Sequence, residues 1–377
     1  MIFNATRIFF AYAVFVFGLC PFSKGEDKSF IYIGNLCESV LKKNAGKALG
    51  DYVRVVRSEP PPSNKPPALG FDGRGRSACL GLVKVDALGT LFEVPSGANI
   101  ILQWLDENFD MVFESPAFKT NPNEVLAGGD YFGESFSAKR IPLKDFDFSK
   151  IKETELSKKP DSLCGEYFSY VKNVQPVLDS HCLACHDLGG EGAPRIVLSG
   201  DRGIVFNRSY MELISTSCVR GRPKGGDESW GARNSYIVNL IRDGHQGVKM
   251  SEDEFAALRL WIDLDLLYYD TVEASYASNP EGRSPLTSSE IKKVFEICRS
   301  KSPLAGDGGN RISWKIYIYE LLSFDTPEHS EILLNIRLNK NAYNEALSIV
   351  KRGCERLKKM PREDMENFEP NKNLADK

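Results

Sequence analysis

Residues 174–187 read Val-Gln-Pro-Val-Leu-Asp-Ser-His-Cys-Leu-Ala-Cys-His-Asp, and this stretch organises the second half of the chain. Cys182 and Cys185 are one helical turn apart and His186 follows directly, which is the Cys-x-x-Cys-His pattern of covalent c-type haem attachment. Two thiols on one face of a helical turn can add to the two vinyl groups on one edge of the porphyrin, and the adjacent imidazole then ligates the iron. We therefore expect one covalently attached haem c, with His186 as its proximal ligand.

Two other roles for the paired cysteines fit the sequence less well. A redox-active disulfide between Cys182 and Cys185 would follow a strand, as in thioredoxin, whereas residues 166–180 carry apolar side chains at helical spacing. A structural zinc site would need a second pair of cysteines or histidines, and the sequence has no second Cys-x-x-Cys.

The chain offers few side chains for the opposite face of the iron, because it contains only four histidines. His181 directly precedes the first attachment cysteine, so we expect it on the attachment side, as a helix-end residue beside the haem. His245 stands in a glycine-flanked loop that ends at Met250, the alternative distal ligand. His329 lies in a polar turn and ranks third. A solvated loop residue is the other interpretation of His245.

The second half of the chain is predicted to be mainly helical. The first helix covers residues 166–180. The capping-box sequences at residues 251–254 and 287–290 begin two further amphipathic helices, and residues 344–360 form another that Pro361 ends.

The first half carries the pattern of an antiparallel β-sandwich or barrel. Residues 51–58 alternate as a strand does, and turn signals separate the short apolar runs that follow, at 77–85, 91–95, 99–107 and 111–115. The other segments are predicted to be a helix at 36–49, an extended proline-rich loop at 60–67, and a loop and linker at 119–163.

The N-terminus has the features of a secretory signal peptide. Arg7 provides a short basic region, and the apolar run from Ile8 to Leu19 is too short to cross a membrane. Ser23 and Gly25 are small residues at the positions that precede a cleavage site, so we expect cleavage after Gly25 and export to the periplasm or another extracytoplasmic compartment. An uncleaved N-terminal anchor is the alternative.

Together these patterns predict a multidomain α+β protein. A β-sandwich-like N-terminal domain is followed by a mainly α-helical, mono-haem cytochrome c-type domain. The predicted boundaries are a signal peptide at 1–25, a β-rich domain at 26–148, a linker at 149–163 and a helical haem domain at 164–377.

Composition narrows the classes of partner. The 377 residues carry a formal net charge of −3, whereas nucleic-acid-binding proteins carry a basic surface, so we expect no nucleic-acid partner. No apolar run has the ~18–20 residues of a membrane-spanning helix. Membrane contact is therefore expected only if the N-terminus stays uncleaved. A redox partner protein is expected, and the sequence does not identify it.

Six cysteines remain besides the attachment pair and Cys20, which leaves with the signal peptide. An even number of cysteines in an exported chain allows up to three disulfides. The sequence favours a Cys298–Cys354 pair, since both cysteines fall on late helices, with two buried free thiols as the alternative. The other four are Cys37, Cys79, Cys164 and Cys218.

Ordered motifs through the chain resemble the hydrazine synthase alpha-subunit-like family of exported multidomain haem proteins. The resemblance spans about residues 51–370. The motifs that carry it are the stretches 80–97, 99–115, 121–124, 176–187, 198–203, 206–210, 243–251, 258–271, 282–287, 323–328 and 346–370.

The resemblance implies a C-terminal module whose c-type haem is held by the motif histidine and a second histidine, here His186 and His245. The chain also departs from the family in two ways. Family members carry a further Cys-x-x-Cys-His after the Pro-x-Glu step, where residues 125–135 contain neither cysteine nor histidine, and the preceding propeller is not found. Hydrazine synthesis in the family depends on that other haem, so the resemblance argues against this activity here.

We therefore expect an exported mono-haem protein that transfers single electrons, with six-coordinate iron between His186 and His245. A haem enzyme with five-coordinate iron, acting on a small nitrogen or oxygen species or a peroxide, is the first alternative. A haem-bearing interaction module of a larger redox complex is the second. The sequence favours electron transfer over both.

Overall fold

A computed structural model describes residues 28–34, 50–59, 75–86, 89–130, 137–151, 153–157, 163–222, 229–271, 283–301 and 322–369. The predicted signal peptide, the predicted helix at 36–49, the predicted loop at 60–67 and Cys37 lie outside these residues. Within the described ranges, no helix combines the length and the apolar character that crossing a membrane requires.

The first half of the described chain is built from strands. They are β1 (Ser29–Ile33), β2 (Tyr52–Glu59), β3 (Arg76–Lys84), β4 (Thr90–Val94), β5 (Asn99–Leu105), β6 (Met111–Glu114), β7 (Phe118–Lys119), β8 (Glu124–Asp130) and β9 (Ser137–Pro142). The first sheet has the order β4-β1-β8-β9, in which only the β1–β8 pair is parallel. The second has the antiparallel order β3-β2-β5-β6, and β7 also pairs with β5.

The two sheets share a buried core, as a sandwich does. Val53 and Val55 of β2 and Ile100 and Leu102 of β5 belong to one buried cluster with Ile31 of β1. These residues are spaced by two along each strand, so they lie on one face of the second sheet. The alternation that predicted strands β2 to β6 is therefore confirmed.

Helices make up most of the second half of the described chain. They are α1 (Tyr170–Asn173), α2 (Gln175–His181), α3 (Leu183–His186), α4 (Arg208–Ser215), α5 (Tyr236–Arg242), α6 (Glu252–Asp263), α7 (Ser288–Lys301), α8 (Glu331–Leu334) and α9 (Lys340–Lys359). Both predicted capping boxes are present: Ser251 and Glu254 bond reciprocally at the start of α6, and Thr287 and Glu290 do so at α7. The chain is thus a mixed α+β protein in which strands precede helices.

A buried ion pair joins the sandwich to the helices. Arg54 on β2 and its register partner Gln103 on β5 lie on the face of the second sheet opposite the sandwich core. Arg54 Nη1 lies 3.0 Å from the Asp263 carboxylate, and Gln103 Nε2 donates to the Asp263 carbonyl at 2.7 Å. Arg54 and Asp263 are both buried. The second sheet is therefore covered on both faces.

Aromatic side chains fill the core beneath the helices. Trp261 is fully buried, and the ring of Tyr170 lies 4.8 Å from it and 5.1 Å from that of Tyr210. Tyr268 and Phe206 pack against Tyr210, each at a ring distance of 4.9 Å. These side chains stabilise the fold by burial and by ring contacts.

Three predictions of local structure need correction. The segment 119–163 was expected to be loop and linker, but it contains β8 and β9, because pairing with the distant β1 supports β8 where its own glycine-rich sequence does not. The predicted helix at 166–180 begins only at Tyr170 and is split at Val174, since the nearby Pro176 has no N–H to donate. The last helix begins four residues earlier than the predicted residue 344.

The disulfide pairing also differs from the expected one. Cys79 on β3 and Cys164 form a disulfide, which ties the sandwich to the segment that enters α1. Cys298 and Cys354 are free, so the predicted bond between them is wrong. Both are buried, and the Cys354 thiol donates to the Phe324 carbonyl at 2.9 Å, so they are the buried thiols of the alternative interpretation.

Candidate functional site

The attachment motif lies on a single helical turn. Hydrogen bonds run from the Cys182 N–H to the Leu178 carbonyl at 2.8 Å and from the His186 N–H to the Cys182 carbonyl at 2.9 Å. The motif therefore continues the helical path of α2 through α3, which places Cys182 and Cys185 on neighbouring positions of one helix face. Cys185 is exposed and Cys182 is half-buried. Both thiols are free, as attachment of a cofactor would require.

Burial controls the protonation of the first cysteine. It raises the pKa of the Cys182 thiol to about 11, and the negative charges of Asp179 and Cys185 act in the same direction. Cys182 is therefore a neutral thiol at neutral pH and not a preformed thiolate.

A short loop after the motif fixes the His186 ring. The Nδ1 atom of His186 lies 3.0 Å from the backbone carbonyl of Ile196, and the Leu198 N–H donates to the His186 carbonyl at 2.8 Å. A bond from Nδ1 to a carbonyl sets the tautomer and leaves Nε2 with its lone pair free, which is the usual arrangement of a metal-binding histidine. Gly192 passes so close that a methyl group there would lie 2.6 Å from Cε1 and Nδ1 of the ring.

The second histidine stands on a tight turn between α5 and α6. His245 begins a 3₁₀ turn, Gly244 before it has φ +81°, and the Val248 N–H donates back to the His245 carbonyl at 2.9 Å. Glycine adopts this left-handed conformation without the steric cost that a side chain would bring. The turn therefore reverses the chain after α5 and leaves the half-buried His245 at its apex.

The fold brings the two histidines together although they are far apart in the sequence. The ring centroids of His186 and His245 are 6.2 Å apart, and their planes make an angle of 35°. Two imidazoles on opposite sides of one metal ion have centroids about 6 Å apart, because each metal–nitrogen bond is ~2 Å long and the ring centre lies ~1 Å further. The spacing therefore fits one metal ion between the rings.

The residues present provide the groups that a haem needs. Within the residues that the structure describes, no group of three or more His, Cys, Asp or Glu side chains could enclose a metal. A haem needs only two protein ligands, since the porphyrin supplies the other four. The free thiols of Cys182 and Cys185, beside the paired rings, are the groups that covalent attachment uses.

The other predicted ligands occupy different places. His181 ends α2, and its Nε2 lies 3.1 Å from a carboxylate oxygen of Glu254. Glu254 accepts a hydrogen bond from the Ser251 N–H and a second one from His181. These bonds lower the pKa of Glu254 to about 2. Met250 is half-buried at the end of the His245 loop, directly before the Ser251 cap. His329 is exposed in a separate 3₁₀ turn.

Two residues near the site were not anticipated from the sequence. Asp110, in the turn between β5 and β6, pairs with Arg242 at the end of α5, with Nη1 to Oδ2 at 2.7 Å. No local pattern could have indicated this pair, because its members are 132 residues apart. By contrast, the glycines of the segment 189–192 were a visible signal of a tight loop beside His186.

Comparison with known proteins assigns no family. No family model matches the chain, and no curated protein matches it. Among solved structures, the chain is similar to "Kuenenia stuttgartiensis Hydrazine Synthase", with 15% identity and a TM-score of 0.42. The match covers 65% of this chain and 44% of that one, so the chain spans less than half the length of that protein. Similarity at this level is too weak to assign family membership or function.

Proposed function

We propose that the chain is an exported c-type protein that carries one haem and transfers single electrons. Cys182 and Cys185 would attach the haem, and His186 and His245 would bind its iron. The observation that carries the proposal is the 6.2 Å spacing of the His186 and His245 rings beside the free thiols of the motif.

The chain's own groups have distinct parts in this function. The Ile196 carbonyl accepts the Nδ1 proton of His186, so that Nε2 would be free to bind the iron as a neutral donor. The turn that follows Gly244 carries His245, which would supply the second ligand. When haem is bound, it supplies a one-electron couple through its ferric and ferrous states.

Two histidine ligands favour electron transfer over catalysis. If His186 and His245 both bind the iron, the protein would leave no coordination position for a substrate. A catalytic haem needs an open or readily vacated position. The proposal therefore ranks electron transfer first and a haem enzyme second.

Export is proposed together with the haem. The support is the signal-peptide pattern of residues 1–25 and the Cys79–Cys164 disulfide, since disulfides persist in oxidising compartments outside the cytoplasm. We propose a periplasmic or other extracytoplasmic location.

The test uses the protein expressed with the c-type haem maturation machinery. A pyridine haemochrome spectrum and the intact mass should show one covalent haem and an N-terminus at residue 26.

The ferric spectrum should be low-spin, and His245→Ala should convert it to high-spin, with free imidazole restoring the low-spin form. The matched control His329→Ala replaces an exposed histidine and should change nothing, and Met250→Leu tests the alternative ligand. A high-spin wild-type protein, or an unchanged low-spin spectrum in His245→Ala, would contradict the proposed ligands.

A further inference from the structure

We infer that Asp110 of the β-sandwich is a positioning residue for His245 and acts through Arg242. The inference rests on the proposed function, in which His245 is the distal ligand. It adds that the sandwich holds this ligand in place, so the two halves of the molecule build one redox centre.

The Asp110 carboxylate is fully buried and pairs with two guanidinium groups. Arg242 Nη2 donates to Oδ1 at 2.9 Å and Nη1 lies 2.7 Å from Oδ2, so one charge-assisted hydrogen bond and a second close charge contact join the two side chains. Arg259 on α6 adds a longer contact, with Nη1 3.4 Å from Oδ1. One carboxylate of the sandwich therefore contacts the helices on both sides of the His245 turn.

The turn that carries Asp110 is itself held rigidly. The Asp106 side chain accepts from the N–H groups of Asn108 at 2.8 Å and Asp110 at 3.0 Å, and the Asp106 N–H donates to the Asp110 carbonyl at 2.9 Å. These bonds close the turn between β5 and β6. Asp110 is therefore a fixed point on the sandwich and not a mobile surface carboxylate.

Arg242 connects Asp110 to the turn that carries His245. It is the last residue of α5, and His245 follows three residues later on the turn that Gly244 begins. The other end of α5 is also anchored, because the Ala232 N–H, just before this helix, donates to the Asp263 carboxylate at 2.8 Å. Both ends of α5 are thus tied to buried carboxylates.

The far end of the His245 loop is anchored on the attachment helix. Glu254, in the first turn of α6, contacts the His181 ring next to Cys182. The guanidinium groups of Arg242 and Arg259 both pack against the Phe255 ring, at 5.5 and 5.3 Å from its centroid. The loop therefore has one anchor on the sandwich and one on the haem-attachment segment, and loss of the Asp110 anchor should release His245 without removing it.

The experiment measures how often His245 leaves the iron. Carbon monoxide binds ferrous six-coordinate haem only when a ligand has dissociated, so its association rate reports the open fraction. Asp110→Asn and Arg242→Gln should each raise this rate by about tenfold, while the ferric spectrum stays mainly low-spin. Arg242→Lys keeps the charge and should recover part of the wild-type rate. Hydrogen exchange of residues 243–250 in the same ferric proteins should accelerate in parallel.

Arg222→Gln is the matched control. Arg222 pairs with Glu114 on β6, so this variant also removes an ion pair between sandwich and helical half, but at a different place. It should leave the carbon monoxide rate and the exchange of residues 243–250 unchanged. Because Arg242 is partly exposed, Arg242→Gln gives a folded variant if Asp110→Asn does not fold.

The outcomes separate this inference from the proposed function. If His245→Ala speeds carbon monoxide binding but Asp110→Asn and Arg242→Gln do not, the positioning role is wrong and the ligand assignment stands. If Arg222→Gln speeds binding as much as they do, the effect is general loosening and the inference fails. If the wild-type protein binds carbon monoxide as fast as His245→Ala, the ligand assignment fails, and the positioning role fails with it.

Discussion

The two histidines of the candidate site are held in different ways. His186 is fixed by its own neighbourhood, since its Nδ1 partner, Ile196, is ten residues away and Gly192 packs against its ring. His245 depends on Arg242 and, through it, on Asp110, which is 132 residues earlier in the sequence than Arg242. The surroundings of His186 are therefore encoded in one continuous segment. The surroundings of His245 include a contact between the sandwich and the helices.

This difference indicates how the two parts of the molecule would serve the proposed cofactor. The segment around His186 carries the proposed attachment motif, whereas the sandwich carries none of the predicted ligands and still contacts the helix that leads to His245. Mutations in the segment around His186 should change haem attachment and the orientation of the His186 ring. Mutations at the interface should change stability and the distal side first.

The largest expected effect is on the proximal side. Cys182→Ser with Cys185→Ser removes both thiols that would bond the porphyrin, so covalent haem should be lost completely from the intact mass. Cys218→Ser is the matched control, because Cys218 is also a free, half-buried cysteine and should keep its full haem content. Covalent haem in the double variant would contradict the proposal that Cys182 and Cys185 attach it.

A large loss of stability is expected at the interface. Arg54→Ala leaves the buried Asp263 carboxylate without its charge partner, which should lower the free energy of unfolding by about 3–5 kcal/mol. Urea unfolding followed by circular dichroism measures this loss. Lys28→Ala is the control, because it removes an exposed pair with Glu93 and should cost less than about 1 kcal/mol. Equal losses in the two variants would contradict the buried role of Arg54.

A smaller effect is expected beside His186. Gly192→Ala adds a methyl group 2.6 Å from the ring and should cost about 1–3 kcal/mol of stability while shifting the haem spectrum. Gly189→Ala makes the same change in the same loop, where no atom lies within 4 Å, although its φ is +79°. Its backbone strain should lower stability without altering the spectrum. Equal spectral shifts in the two variants would contradict the claim that the close packing of Gly192 positions the His186 ring.

The smallest effect is a pH dependence of the interface. Burial raises the pKa of Glu114 from 4.5 to about 7, although Arg222 and Gln103 oppose the shift. A raised pKa in the folded protein means that this carboxyl stabilises the fold below pH 4.5 and that the contribution is lost as the pH rises through about 7. The slope is at most about 1.4 kcal/mol per pH unit. Glu114→Gln should remove this contribution to the slope of the unfolding free energy against pH, measured by urea unfolding between pH 5 and 8. An unchanged slope would contradict the raised pKa of Glu114.

The sequence predicted features that depend on local pattern. The alternation of Val53 and Val55 and the capping box at Ser251 are local, and both are present in the structure. The motif at Cys182 is also local, and its role in haem attachment stays a prediction. Strand β8 was missed because its support comes from pairing with β1.

Long-range contacts account for the wrong disulfide pairing and for the ion pair that the sequence did not predict. The Cys79–Cys164 disulfide has a sequence separation of 85, and cysteine spacing does not determine connectivity. The Asp110–Arg242 pair spans an even longer stretch and leaves no periodic signal. Such contacts join residues that are close together only in the folded structure, so they could not be inferred from the residues around each partner.

The most direct test of the central claim counts the histidines bound to the iron. Electron–nuclear double resonance on ferric holoprotein, uniformly labelled with ¹⁵N-histidine, detects each directly coordinated histidine nitrogen. We expect two such nitrogens in the wild-type protein and one in His245→Ala. A single coupled nitrogen in the wild-type protein would contradict the claim that His186 and His245 hold one haem between them.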